Sequence, residues 1–188
     1  MIALDAKTSA LVMIDLQNFI IARPTAPHSS AEVVARAQNL AKEFRAAGAV
    51  VIWVRVGFSS DWRDMPPQNV DEPTKFAAPL PPGAFELTEG LAAPGDLHVV
   101  KRQWGAFHGT DLDLQLRRRG IKTIVLGGVA TNFGVESTAR SAWEHGYDVV
   151  VAEDACASTD AELHAFAVSR ILPRLARIAS SADVSFSG

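Results

Sequence analysis

The chain reads as short runs of apolar residues separated by longer stretches in which apolar positions recur every three or four. Ala10-Leu11-Val12-Met13-Ile14 is apolar throughout and ends at Asp15. Ala49 to Val56 (AVVIWVRV) is a second such run, Leu97 to Val100 a third and Thr123 to Leu126 a fourth. Val149-Val150-Val151 centres a fifth, and Arg177-Ile178-Ala179 is a weak sixth. A strand with one wet face alternates apolar and polar residues. Runs that are apolar at every position suit strands covered on both faces.

The stretches between them carry helix punctuation. Ser29 and Glu32 have capping-box spacing ahead of Val33, Val34, Ala37, Leu40, Ala41 and Phe44, and Gly48 stands where a terminating glycine belongs. Thr110 and Asp113 open a second helix that closes at Gly120; a third starts near Gly134 and stops before Gly146; Thr159 and Glu162 open a last one running towards Pro173. Alternating strands and helices predict a parallel sheet with right-handed crossovers, hence an α/β fold built as a three-layer α/β/α sandwich. Residues 1–188 are expected to form one domain. Gly57 to Asp96, rich in Pro, Asp and Trp, lacks periodicity, and so long a loop is expected to be a lid, a flap or an oligomer contact.

Composition narrows the function. With 188 residues, 48% of them hydrophobic, a substantial core is affordable in one domain. The net charge of −3 gives no footprint for nucleic acid or an anionic membrane, and the one basic run, Arg117 to Arg119, falls at a predicted helix end where cations suit the dipole. No basic-then-apolar leader and no run of membrane-spanning length appears, so a cytoplasmic location is expected. A single cysteine, Cys156, excludes an internal disulfide and a multi-cysteine metal cluster.

In an open parallel sheet ligands bind beyond the carboxyl ends of the strands. Asp15 ends the first strand, Lys101 follows the third, and Gly127 to Gly134 (GGVATNFG) follows the fourth and leads into a helix. Alone, Asp15 can be a carboxylate capping nearby amides and Lys101 a surface lysine. Together with a glycine-rich turn whose free N–H groups suit an anion, they form a candidate site. The turn lacks the spacing of a dinucleotide fingerprint and the Gly-Lys-Ser/Thr of a phosphate loop. His28, His98, His108, His145 and His164 are scattered without ligand spacing, so no metal and no cofactor is expected. Cys156 is expected to be a buried packing thiol. Phe19, Trp104 and Phe107 are the aromatic candidates for a substrate pocket, the last two because they follow Lys101.

Gly128-Val129-Ala130-Thr131-Asn132-Phe133-Gly134-Val135-Glu136-Ser137-Thr138-Ala139-Arg140 resembles the signature of the isochorismatase-like hydrolases, the cysteine hydrolase superfamily. So do Val12 to Asn18 (VMIDLQN), Lys101 with Gly105-Ala106-Phe107, and Glu153 to Ala157 (EDACA), in the same order along nearly the whole chain. The resemblance implies a six-stranded parallel sheet in the order 3-2-1-4-5-6. It also implies a non-proline cis peptide before Ala130, a catalytic set at Asp15, Lys101 and Gly134, and an anion hole at the amides of Ala130 and Gly134. Gly134 falls where amidase members carry the nucleophilic cysteine that forms a thioester, so that route is closed at this position. Isochorismatases look similar in having glycine there, and in them the aspartate protonates a vinyl-ether carbon. TNFGVESTAR and KRQWGAF match more closely a branch that also lacks the cysteine. Two expectations stand: a hydrolase of a small polar or carboxylate metabolite, or a catalytically silent metabolite-binding or oligomeric scaffold. A homo-oligomer is expected by resemblance, with a small molecule and neither nucleic acid nor membrane as partner.

Overall fold

The computed structural model describes residues 1–74 and 80–186, so 75–79 of the long loop lie outside the described residues. In chain order its main elements are β1 (Ile2–Leu4), β2 (Ser9–Ile14), α1 (Asn18–Ile21), α2 (Ser30–Ala46), β3 (Val50–Val56), β4 (Leu97–Lys101) and α3 (Leu112–Arg118). There follow β5 (Thr123–Val129), a π-helical turn (Thr131–Val135), α4 (Glu136–Glu144), β6 (Asp148–Ala157), α5 (Ala161–Phe166), β7 (Arg177–Ala179) and β8 (Val184–Phe186). Six strands pair in parallel in the order β4-β3-β2-β5-β6-β7, which is the order expected from the resemblance. No helix among the described residues is long and apolar enough to cross a membrane.

Successive side chains of a strand point to opposite faces, and the fully apolar runs feed two cores accordingly. Ala10, Val12 and Ile14 pack on one side with Leu112 and Leu116 of α3 and Ala139 and Ala142 of α4. Leu11 and Met13 pack on the other with Val33, Ala37, Leu40, Ala41 and Phe44 of α2. Each such large side chain, fully buried, contributes about 1.5–3 kcal/mol of transfer free energy. The Ser29–Glu32 capping box forms in both directions, with Glu32 N–H donating to Ser29 Oγ and Ser29 N–H to Glu32 Oε2.

Three expectations change. The last helix is capped by Asp160 and not Thr159, because Asp160 Oδ1 accepts from the amides of Glu162 and Leu163. The third helix opens as a π-turn from Thr131, three residues ahead of Gly134, before becoming regular at Glu136. A small parallel pair, β1 with β8, joins the two ends of the described chain and has no counterpart in the sequence reading.

Candidate active site

β2 delivers Asp15 to the carboxyl edge of the sheet. Its amide still bonds Val54 O of β3 at 2.9 Å, but its φ of 56° turns the chain out of the strand. The left-handed region is one that aspartate tolerates better than most residues. Gln17, next in the turn and fully buried, stitches this corner together: Nε2 donates to Val56 O and Phe85 O, and Oε1 accepts from Val56 N–H. Gly128 of β5 passes so close that a Cβ there would lie 2.1 Å from Ile14 O, and its φ is +125°. Only glycine lets β5 approach the Asp15 corner this closely.

β4 delivers Lys101, 2% exposed, with Nζ 2.7 Å from Asp15 Oδ2. Its other two donors go to the carbonyls of Gln103 (3.1 Å) and Trp104 (2.9 Å). All three ammonium protons therefore have partners inside the protein. The second Asp15 oxygen, Oδ1, is buried with no hydrogen-bond partner among the described residues, although the Val56 amide, which donates to Gln17 Oε1, lies near enough to this carboxyl to favour its charged form. Burial pushes the Asp15 carboxyl above its ordinary range, and the Lys101 charge and hydrogen bond oppose that without cancelling it.

The third component is the turn after β5. The Val129–Ala130 peptide is cis, as the resemblance implied. Gly134 closes on Asp15 from the other side: a Cβ there would stand 3.2 Å from Asp15 Oδ2, 2.9 Å from Ile14 Cγ2 and 3.6 Å from Trp104 O. Thr138 Oγ1 locks this arrangement, donating to Gly134 O at 2.7 Å and accepting from Ala106 N–H at 3.1 Å. The turn and the segment behind Lys101 are thereby held as one unit.

Asp15, Lys101, Ala130 and Gly134 all border a cavity of about 240 Å³, with Phe19 and Trp104 among its walls. Trp104 packs against Phe133 at 4.7 Å between ring centroids, and Phe19 against Phe85 at 4.8 Å. The described part of the long loop contributes Phe58, Met65, Pro66 and Gln68, so it forms a wall, and Arg23 sits at the rim. Phe107 is a correction. It is not among the lining residues; its ring stacks on His145 at 5.1 Å and packs near Tyr147 in the α3–α4 core. The chain bends after Trp104, so position 107 faces the helices.

Cys156 is fully buried, donates to Ala152 O and has its thiol pushed up to about 12 by burial. The scattered histidines also need correcting, since His28 and His164 meet at Glu153. Sequence reasoning missed Gln17 and Thr138 as well. Both lay inside the family-like segments, but the signal was only that they are polar residues in otherwise apolar neighbourhoods.

Fold and site together define an open α/β protein with a buried acid–lysine pair beside a cavity at the carboxyl edge of the sheet, where ligands of such sheets bind. Residues 9–183 match the isochorismatase domain family. The chain is 51% identical over 185 residues to the isochorismatase family protein YecD of Escherichia coli O157:H7, covering 98% of each chain. It is 30% identical over 177 residues to the ureidoacrylate amidohydrolase RutB of Methylorubrum extorquens, covering 82% of this chain and 71% of that one. A solved structure of an isochorismatase family protein from Burkholderia thailandensis matches with a TM-score of 0.91 at 45% identity, covering 97% of this chain and 95% of that one. The chain belongs to the isochorismatase family.

Proposed function

We propose that this isochorismatase-family hydrolase cleaves a small polar carboxylate metabolite by general-acid hydrolysis of a vinyl-ether type bond, with Asp15 as the acid. The observation that carries this reading is the division of labour on one carboxyl group. Oδ2 accepts from the Lys101 ammonium, while Oδ1 is buried with no hydrogen-bond partner among the described residues, in a residue that lines the cavity. A proton held on Oδ1 is committed to no protein acceptor among the described residues, and burial favours holding it.

The Oδ1 proton passes to the vinyl carbon, leaving an oxocarbenium ion and an Asp15 carboxylate. Water adds to the cation and its proton returns to Asp15. The hemiketal then collapses to a carbonyl product and an alcohol. Lys101 assists by stabilising the carboxylate as it forms, since attraction between neighbouring charges is stronger in a site away from water. The amides of Ala130 and Gly134 serve a substrate anion from the turn that opens the helix, and Arg23 at the rim is a second carboxylate partner.

An amidase route, as the name of the RutB relative suggests for that protein, needs a thiolate beside Asp15. Gly134 has no side chain, and Cys156 is buried with a thiol pushed up to about 12. The test is turnover of isochorismate and a panel of vinyl ethers, amides and esters by wild type and Asp15→Asn. Vinyl-ether turnover lost in a folded Asp15→Asn supports the reading. Tight metabolite binding without turnover of any compound in the panel replaces it with the scaffold reading.

A further inference from the structure

Outside the acid–lysine site, one group of side chains with metal-ligating atoms is brought together among the described residues. It is assembled from three places far apart in the chain. His28 comes from the segment before α2, Glu153 from the middle of β6, and His164 from α5. Glu153 reaches the cluster because β6 is irregular: Leu126 of β5 pairs with Val151 and Gly128 with Cys156, so two steps along β5 span five along β6. The extra residues bulge away from the ladder and carry Glu153 with them. A β-bulge of this kind re-aims a side chain.

Both imidazoles present Nε2 to the same carboxylate oxygen. His28 Nε2 is 3.9 Å and His164 Nε2 is 3.7 Å from Glu153 Oε2. One ligand-capable atom from each residue lies within 4.8 Å of the others. Around a tetrahedral ion with bonds of about 2.1 Å, ligand atoms sit about 3.4 Å apart, so small side-chain rotations close this set. The far nitrogen of His164, Nδ1, is held by Thr131 Oγ1 at 2.8 Å, and both groups are buried. A hydrogen bond on the outer nitrogen is how metal-binding histidines are oriented, leaving the lone pair of the other nitrogen facing the ion. The imidazole rings meet edge to face at 6.0 Å between centroids.

We infer that His28, Glu153 and His164 form a binding site for a divalent transition-metal ion, of the zinc class, that braces the Ala130–Gly134 turn from outside the cavity. Two nitrogens and one carboxylate oxygen suit zinc, nickel or iron better than magnesium or calcium, which prefer all-oxygen sets. The link to the turn is Thr131, its first residue after Ala130, whose hydroxyl bonds His164. The site also ties the segment before α2 to the sheet, where Thr25 and Thr159 contribute to the cavity wall. Three protein ligands leave the fourth tetrahedral position to water. None of the three residues lines the cavity, so the proposal stands or falls separately from the hydrolase mechanism.

The experiment uses untagged protein stripped with EDTA and titrated with Zn²⁺ alone, by calorimetry and by thermal melting, with Mg²⁺ as the contrasting ion. One Zn²⁺ per chain, a raised Tm and no response to Mg²⁺ are expected. His28→Ala and Glu153→Gln, each checked for native circular dichroism, are expected to lose the zinc-dependent Tm shift. Thr131→Val keeps the ligands and removes only the hydroxyl on His164, and is expected to weaken binding by about tenfold or more. Co²⁺ in place of Zn²⁺ gives a second readout, visible absorption that appears in wild type and is absent from His28→Ala. Absence of saturable Zn²⁺ binding, or binding of equal strength in wild type, His28→Ala and Glu153→Gln, overturns the proposal.

Discussion

Lys101 Nζ lies 2.7 Å from Asp15 Oδ2 with both side chains buried, so two opposite charges share one dry corner at the end of the sheet. Burial favours the neutral acid and the ammonium favours the carboxylate. An acid that must give up a proton and then recover it needs both influences, because either alone would fix one protonation state.

The first prediction follows from the direction of the Asp15 shift. A general acid works only while protonated, so kcat/KM for a vinyl ether should fall as pH rises through the raised Asp15 value. If Asp15 acted as a base, the same group would give a rising limb. Asp15→Asn should lose about 10²- to 10⁴-fold in kcat/KM while keeping its fold, since Lys101 retains two carbonyl acceptors and the Asn oxygen. A pH–rate profile and circular dichroism of the mutant check both parts.

Lys101→Met removes the countercharge and leaves the carboxyl buried. Breaking a buried pair by removing one partner costs about 3–5 kcal/mol. The loss should depend on pH. With the ammonium gone, the folded-state pKa of Asp15 rises further above its unfolded value. Stability is then fully present below the unfolded value, about 3.9, and drains away as pH climbs through the folded one. Denaturant melts near pH 5 and pH 8 should show the mutant closer to wild type at the lower pH. A loss that is the same at both would mean that Asp15 does not titrate in that window.

Much of this corner was legible in the sequence because it obeys short-range rules. Ala10 to Ile14 suits a strand covered on both faces, which it is, and a polar residue at such a strand's end is placed by topology at the ligand edge. What escaped depends on register or on local bends. Glu153 joins His28 and His164 only because β6 bulges between Val151 and Cys156, and nothing in the spacing of VAEDAC announces how many residues leave the ladder. Phe107 looked like a pocket residue from its distance to Lys101, yet the chain bends and buries it against Tyr147. Asp160 and Thr159 are both good caps, and one residue of register decided between them. Asp96 closes the long loop by accepting from Arg45, Trp53 Nε1 and the Ala93 amide, a convergence that only the folded chain brings about.

Gly128 offers a test of how tightly the site is built. A methyl group there would collide with Ile14 O at 2.1 Å on backbone that an L-residue rarely adopts, and neither strand can retreat without breaking the sheet. Gly128→Ala should destabilise by more than about 4 kcal/mol, the range reserved for severe core disruption. Gly120→Ala, also at positive φ but with open space around the added carbon, should lose only about 1–2 kcal/mol. Urea melts of the two variants decide it; similar losses would mean that the β2–β5 contact is softer than its geometry indicates.

The last prediction places a thiol where the resemblance puts the nucleophile. The backbone of Gly134 is open to an L-residue, having no positive φ, and its added Cβ would stand 3.2 Å from Asp15 Oδ2. A cysteine there would have the Lys101 ammonium, bonded to the neighbouring Asp15 Oδ2, to favour the thiolate, and the opening of a helix beside it. The obstacle is Ile14 Cγ2 at 2.9 Å, a fully buried methyl that must shift by a few tenths of an ångström. Such overpacking typically costs about 1–3 kcal/mol, which lowers stability without closing the position. Cys156 supplies the internal standard, being buried with its thiol pushed up to about 12, and should stay unlabelled in the folded protein. Iodoacetamide labelling near neutral pH, followed by peptide mass spectrometry, should therefore modify the new cysteine in Gly134→Cys much faster than Cys156. Equal and sluggish labelling at both cysteines, in a mutant shown to be folded, would mean that position 134 does not face Asp15 as the geometry has it, and the acid-site assignment would fall with it.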